Sequence, residues 1–412
     1  MNIYISGVSG TGMGPLALMA KEAGLNVFGS DLHKGRVYDE LVKAGIPVFI
    51  GKQDGEFLKE KMAEGVDWFV HTSALPYDHP ELVLAKESGL KVSKRDELTA
   101  YLVKELGAKM VAVAGTHGKS TTVAMIVFTS LKLKIPVSYI AGAALKFAPT
   151  GAYTPGSRYF VYEADEFDRN FLHFYPWLAV LPSVTYDHAE IYHTPEEYLA
   201  AFAQFKSQSE NVIEKPENFK SEDFKLAGEV RRKDASFAAE AVLKMAEDAG
   251  ISATREEISE ILNQFPGISR RFERICEGVH SDYAHHPEEV KATVEIALEE
   301  KELQGKKGVV VVYQPYQNRR QYDVKQMYKD IFKGVDKLFW LPTYLLREEH
   351  SELAVLSPKE LISEMENSEI AEPAEMNEKL KEKLDEYLAQ KYLIVVMAGG
   401  DADDWIRENY EE

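Results

Sequence analysis

Residues Val111 to Thr122 read VAVAGTHGKSTT, and they carry the chain's most concentrated chemistry. An apolar run, Met110 to Ala114, predicts a buried parallel strand, and Thr121 to Leu131 an apolar helix. Between them lie Gly115, Thr116, His117, Gly118, Lys119 and Ser120. Strand, glycine turn, lysine–hydroxyl pair and helix together make a phosphate cradle. Backbone N–H groups and the helix N-terminus face the anion, lysine adds a point charge, and a hydroxyl of Ser120 or Thr121 reaches Mg²⁺. The general P-loop has a further glycine where this chain has Val113.

A second group lies at the end of the predicted strand Ser157–Glu163, which runs into Glu163-Ala164-Asp165-Glu166-Phe167-Asp168. Acids at the C-terminal edge of a strand beside a phosphate loop are where a Mg²⁺ ligand belongs. Another strand, Leu178–Val184, leads to Asp187-His188. At the N-terminus, strand Asn2–Ser6, the turn Gly7-Val8-Ser9-Gly10-Thr11-Gly12-Met13, a helix to Ala23 and a strand ending at Ser30-Asp31 form a βαβ opening. Its glycine order is G-x-x-G-x-G rather than the dinucleotide G-x-G-x-x-G. A bare tight turn, or NAD with Asp31 on a ribose, are the other readings of that turn alone.

The elements that must position these groups form an α/β chain. At 412 residues, two to three domains are expected. The net charge of −19 argues against nucleic acid as a partner. One cysteine, Cys276, leaves no internal disulfide framework and fits a reducing cytosol. The sequence enters a strand at once, without a charged leader, and no apolar run approaches a membrane span. A cytoplasmic protein, a monomer or weak homodimer, is expected.

Four motifs, GTHGKST, EADE…DH, RRFER and DYAHHP, occur in an order that resembles the Mur ligase family over nearly the whole chain. The loop is the variant that this family shares with folylpolyglutamate synthases. The phrases GVSGTGM, GSD, TSAL and HPEL resemble the UDP-binding domain of members that attach the first amino acid, with the tripeptide-recycling members as near relatives. The resemblance implies three domains, each a mostly parallel sheet with flanking helices: UDP-sugar binding (1–106), a Rossmann-like fold; ATP binding (107–265), P-loop ATPase-like; and a Rossmann-like C-terminal domain (266–412). It implies an ATP- and Mg²⁺-dependent ligase that joins L-alanine to UDP-N-acetylmuramate in peptidoglycan precursor synthesis. The three domains would be hinged, and their closure would exclude water from an acyl phosphate.

Residue by residue, the resemblance places the UDP-sugar at Gly10, Thr11, Gly12, Met13, Asp31, Ser73 and Ala74. It places metal on Ser120, Glu163 and His188, transferring-phosphate chemistry on Lys119 and Arg271, and a contact with the nucleotide or the cleft on Asp282. His285 and Arg320 face the substrate. The family's G-x-H-N-x-x-N-A motif, which contacts ATP, stands here as Gly228-Glu229-Val230-Arg231-Arg232-Lys233-Asp234-Ala235, with Arg231 and Asp234 the candidate nucleotide contacts. Only forty positions separate His188 from Gly228, where relatives run on for roughly a hundred residues of sheet, and Lys206–Lys225 is polar without strand periodicity. In the segment Gln314-Pro315-Tyr316-Gln317-Asn318-Arg319-Arg320, Tyr316 and Gln317 replace the His-Arg of the L-alanine members. A tripeptide-recycling ligase and a non-catalytic nucleotide-binding homologue are the alternatives.

Overall fold

The computed structural model describes the chain except Thr11, Arg36, Ser73, Ala74, Ala189, Glu190, residues 346–352, Glu412 and the side chain of Asp168. The sequence-derived sites Thr11, Ser73 and Ala74 therefore lie outside the described residues. The chain forms two compact units, Met1–Phe224 with Lys233–Pro266, and Lys225–Arg232 with Gly267–Glu412.

The first unit holds two sheets. One is fully parallel, in the order Val48–Ile50, Asn26–Asp31, Asn2–Ser6, Trp68–His71, Lys91–Lys94. The other has the order Asn211–Ile213, Leu178–Val180, Lys109–Val113, Tyr159–Glu163, Val137–Ile140, Gly151–Ala152, with only the last pair antiparallel. Apolar runs without alternation suit such strands, whose two faces are both covered. Ile3, Ile5 and Val27 of the first sheet join Ala112, Phe160 and Ala179 of the second in one buried cluster. Two carboxylates of the first sheet's helices reach the second sheet's edge. Glu40 accepts from the backbone N–H (3.2 Å) and hydroxyl (3.0 Å) of Thr150, and Glu22 accepts from Tyr153 N–H at 2.6 Å.

The second unit is a six-stranded sheet, Glu273–Cys276, Val279–Asp282, Leu393–Ala398, Val309–Gln314, Lys337–Trp340, Ala371–Pro373, antiparallel only at its first pair. The Glu-rich stretch Asn377–Gln390 reads from sequence as a helix with a solvated face; its helix, Glu378–Ala389, also seats Leu380 and Leu384 in this core. Among the described residues no helix is long and apolar enough to cross a membrane.

Two sequence expectations are corrected. The polar stretch 206–225 contains the edge strand Asn211–Ile213; three residues, with Val212 exposed and Ile213 buried, are too few for a period to register. Apolar spacing after the altered motif predicts a helix over Ala235–Ala249; it begins at Glu229, so the altered nucleotide motif is its first two turns.

Candidate active site

Parallel register brings the ends of three strands together. Val113 stands beside Glu163 on one side and Val180 on the other. The loop after Val113, the acids after Tyr162 and the segment after Val180 therefore leave the same edge of the sheet, where ligands gather in open α/β folds.

The loop is braced before any ligand arrives. Thr116 N–H donates to Ser183 O at 2.8 Å, and its hydroxyl donates to Thr185 O at 2.6 Å and meets Tyr198 Oη at 2.8 Å. Gly115 and Gly118 have φ of 142° and 83°. At Gly118 a side chain would also collide with the buried Asp234 carboxylate, so Asp234 closes the floor of the loop. Helix Lys119–Lys132 then starts with no side-chain cap on its first N–H groups and no acid in its first turn. That end is open to an anion. His117, Ser120 and Thr121 are half-buried on the loop and first turn.

Lys119 turns back over the loop. Its ammonium donates to Gly115 O at 2.6 Å and to both oxygens of Glu166 at 2.7 and 2.9 Å. Glu166 is fully buried, and Tyr192 Oη donates to its backbone carbonyl at 2.7 Å. His188 Nε2 stands 3.6 Å from the same carboxylate and 3.9 Å from Asp187. Burial pushes the Glu166 carboxyl up, but His188 and the Lys119 charge outweigh it and hold the group below its ordinary value. Burial likewise pulls Lys119 down, and the acids around it, Glu166 first, leave it raised. Lys119 is thus a firm cation and Glu166 a firm anion. The sequence pointed to Glu163 and left Glu166 without a role; its cues were its place in the EADE motif and three residues beyond a strand end.

Glu163 packs its carboxylate against the backbone of Gly142, where any side chain would collide with it. No three His, Cys, Asp or Glu side chains among the described residues converge as a metal cage. A Mg²⁺ held by one hydroxyl, one carboxylate, substrate phosphates and water needs none. Ser120 on the first turn and Glu163 at the adjacent strand end offer hard oxygens, which fit that ion and no soft-ligand metal.

In the first sheet, Asp31 accepts from Ser9 N–H at 2.8 Å and so pins the glycine turn. Gly10 accepts from the N–H of Met13 (3.2 Å) and Gly14 (2.9 Å), which closes the turn into helix Gly14–Glu22. Gly12 faces Arg95: a Cβ there would lie 2.6 Å from its Nη1. Beneath the turn Glu81 is buried and accepts from Tyr4 Oη (2.7 Å), Ser6 Oγ (2.7 Å), Ser30 Oγ (2.8 Å) and Gln53 Nε2 (3.2 Å). Arg95 had no sequence signal beyond residue type, and Glu81 only its place in the HPEL phrase.

The second unit groups its own set. His285 Nε2 meets Arg320 Nη1 at 2.8 Å, and Nδ1 lies 3.0 Å from Tyr283 O. Guanidinium cannot accept, so the proton sits on Nδ1 and the imidazole is neutral. Burial also lowers the His285 pKa. Tyr316 packs edge-on to His285 at 5.1 Å and stacks on Tyr344 at 6.0 Å. Arg270 and Arg271 lie over Tyr283 at 4.5 and 5.4 Å. Asp282 is turned inward: its oxygens accept from Phe272 and Ala284 N–H, each at 2.7 Å, which ties the Arg-Arg turn to the His-His segment. His286 caps helix Pro287–Leu303. Arg231 is half-buried in this unit, whereas Asp234, one turn on, belongs to the other.

The model of the Mur ligase family catalytic domain matches residues 2–106, and that of the Mur ligase middle domain matches residues 113–259. A UDP-N-acetylmuramate–L-alanine ligase of Fusobacterium nucleatum is 30% identical over 412 aligned positions, covering 84% of both chains. Its counterpart from Campylobacter jejuni is 30% identical and covers 88% of this chain and 90% of its own. Among solved structures, the UDP-N-acetylmuramate–alanine ligase of Thermotoga maritima shares the fold at a TM-score of 0.77, with 21% identity over 99% of this chain and 98% of that one. A murein peptide ligase of Psychrobacter arcticus follows the fold at 0.63, with 19% identity over the same shares. Two family models over the first unit's two sheets, and relatives 30% identical along most of the chain, have one reading: the chain belongs to the Mur ligase family.

Proposed function

We propose that this chain is an ATP-dependent amide ligase that joins L-alanine to the carboxylate of UDP-N-acetylmuramate, in the cytoplasm, as a step of peptidoglycan precursor synthesis. The observation that carries the reading is the Lys119–Glu166–His188 cluster under a braced phosphate loop, in a chain 30% identical to ligases of that name. Residues 1–106 would bind the UDP-sugar, 107–265 ATP, and 266–412 the amino acid.

The substrate carboxylate attacks the γ-phosphorus of ATP, and ADP leaves. The amine attacks the carbonyl carbon of the acyl phosphate, phosphate departs, and the amine loses a proton. Phosphoryl transfer of this kind needs alignment and charge neutralisation more than a protein nucleophile. Lys119 and the loop N–H groups would hold the phosphates, and Asp234 would keep the loop in shape. When bound, Mg²⁺ would neutralise phosphate charge, with Ser120 and Glu163 as its protein ligands and His188 beside them. Arg320, set by neutral His285, would meet the acceptor's carboxylate, and Arg271 the transferring phosphate.

The test is phosphate release from ATP and Mg²⁺ with UDP-N-acetylmuramate and L-alanine, against Lys119→Ala. Release that requires both substrates is expected. A murein tripeptide replaces L-alanine in a second arm, because Tyr316 and Gln317 stand where L-alanine members have His and Arg. Release with tripeptide alone would overturn the acceptor. UDP-sugar binding without release in either arm would overturn the enzyme.

A further inference from the structure

We infer that Arg95 is the cation that grips the pyrophosphate of the UDP-sugar at the glycine turn of the first sheet. This rests on the UDP-sugar reading above. The turn Gly7–Met13 contains no basic residue, unlike the second loop with its Lys119. A pyrophosphate held by backbone N–H groups alone, in a protein of net charge −19, needs a local positive charge.

Arg95 supplies it from a fixed place. Strand Lys91–Lys94 passes into helix Arg95–Leu106 without a connecting residue. Lys94 is level with His71, and His71 with Ser6, so Arg95 lies one residue beyond the edge from which the glycine turn leaves. Its Nη1 comes to where a Gly12 side chain would begin, at 2.6 Å. A side chain at Gly12 would displace it.

Two carboxylates hold the rest of the group. Nη2 donates to Asp165 at 3.3 Å, and Nε lies 3.6 Å from Asp96. Asp165 belongs to the acidic segment after Glu163, which puts Arg95 between the glycine turn and the strand end of the ATP-binding sheet. The UDP-sugar must present its pyrophosphate to the turn and its carboxylate to the γ-phosphate. A guanidinium clamped at that junction is a planar fork already aimed at phosphate oxygens, and little side-chain freedom is lost when they bind.

Titration calorimetry with UDP, uridine and UDP-N-acetylmuramate on the full chain tests this, with circular dichroism as the folding control. Arg95→Gln should weaken UDP and the UDP-sugar about 10- to 100-fold, the worth of charged hydrogen bonds, and leave uridine within about twofold. Arg95→Lys should recover part of the loss. Asp165→Asn should weaken UDP by no more than about fivefold, clearly less than Arg95→Gln, because it loosens the clamp and keeps the cation. A KM for UDP-sugar that rises in Arg95→Lys while that for ATP holds would agree. Equal weakening of UDP and uridine, or matching losses in Arg95→Gln and Asp165→Asn, would make the residue a structural tie and overturn the inference. So would unchanged UDP binding in Arg95→Gln, with the UDP-sugar reading intact. A wild-type chain that binds neither UDP nor the UDP-sugar would overturn that reading and the inference with it.

Discussion

Glu166→Gln removes the charge that holds Lys119 while nearly preserving shape. In the native chain the Glu166 carboxylate is fully buried, the Lys119 side chain is 15% exposed, and two contacts of 2.7 and 2.9 Å join them. Removing one partner of a buried pair typically costs about 3–5 kcal/mol, because the other charge stays desolvated and uncompensated. Lys119 keeps Gly115 O, so the low end, about 3 kcal/mol, is expected. In a unit of this size that lowers the melting temperature by about 6–10 °C. Lys119→Met/Glu166→Gln should recover about 1–3 kcal/mol relative to the sum of the single changes. The pH dependence has a fixed sign. Glu166 titrates below its ordinary value of 4.5 when folded, so its contribution is complete above pH 4.5 and disappears as pH falls through the folded value. The gap between wild type and Glu166→Gln should therefore be constant above pH 4.5 and narrow below it. Differential scanning fluorimetry from about pH 8 down to about pH 2.5 reads both effects, because a carboxylate held below 4.5 loses its charge only under that pH. Equal melting temperatures at neutral pH, or a gap that widens on acidification, would refute the argument that this pair is a desolvated, charged one.

Three further outcomes follow from other contacts. Gly118→Ala must place a side chain at φ 83° against the Asp234 carboxylate, costing about 1–2 kcal/mol from backbone conformation alone; ATP affinity should fall more than about tenfold, and adding Asp234→Ala should recover the collision part of the melting-temperature loss but not the backbone part. Burial lowers the His285 pKa from 6.5, so the unfolded chain takes up a proton that the native chain refuses; stability should fall as pH drops below 6.5, and His285→Gln should flatten that slope in urea unfolding. Glu81→Gln sets an amide donor among the Tyr4, Ser6, Ser30 and Gln53 donors and should destabilise the first unit by about 1–3 kcal/mol, read as a lower melting temperature and weaker UDP binding by calorimetry.

The parts of this molecule that could be read from sequence are those whose physics is local. Continuous apolar runs such as VVVVY and the glycine turns at Gly10 and Gly115 declare strands and turns because backbone conformation and two-sided burial constrain the residues themselves. Parallel topology puts the ends of such strands on one edge, while the grouping of the phosphate loop with Glu163 and His188 is what the EADE…DH resemblance implies. What escaped depends on partners far apart in the chain. Glu166 meets Lys119 across 47 positions and Arg95 meets Asp165 across 70, and neither pair has a spacing rule. The Asn211–Ile213 strand escaped because pairing with Leu178–Val180, rather than its own three residues, makes it a strand. Asp234 shows the same limit from the other side. Compared with a motif, it is an Asp in place of an Asn; seen in the fold, it is the wall that makes Gly118 obligatory. Its carboxylate lies at the floor of the phosphate cradle, and a loop backed from beneath by a carboxylate depends on Lys119 and the helix N-terminus above it for the positive field a phosphate needs.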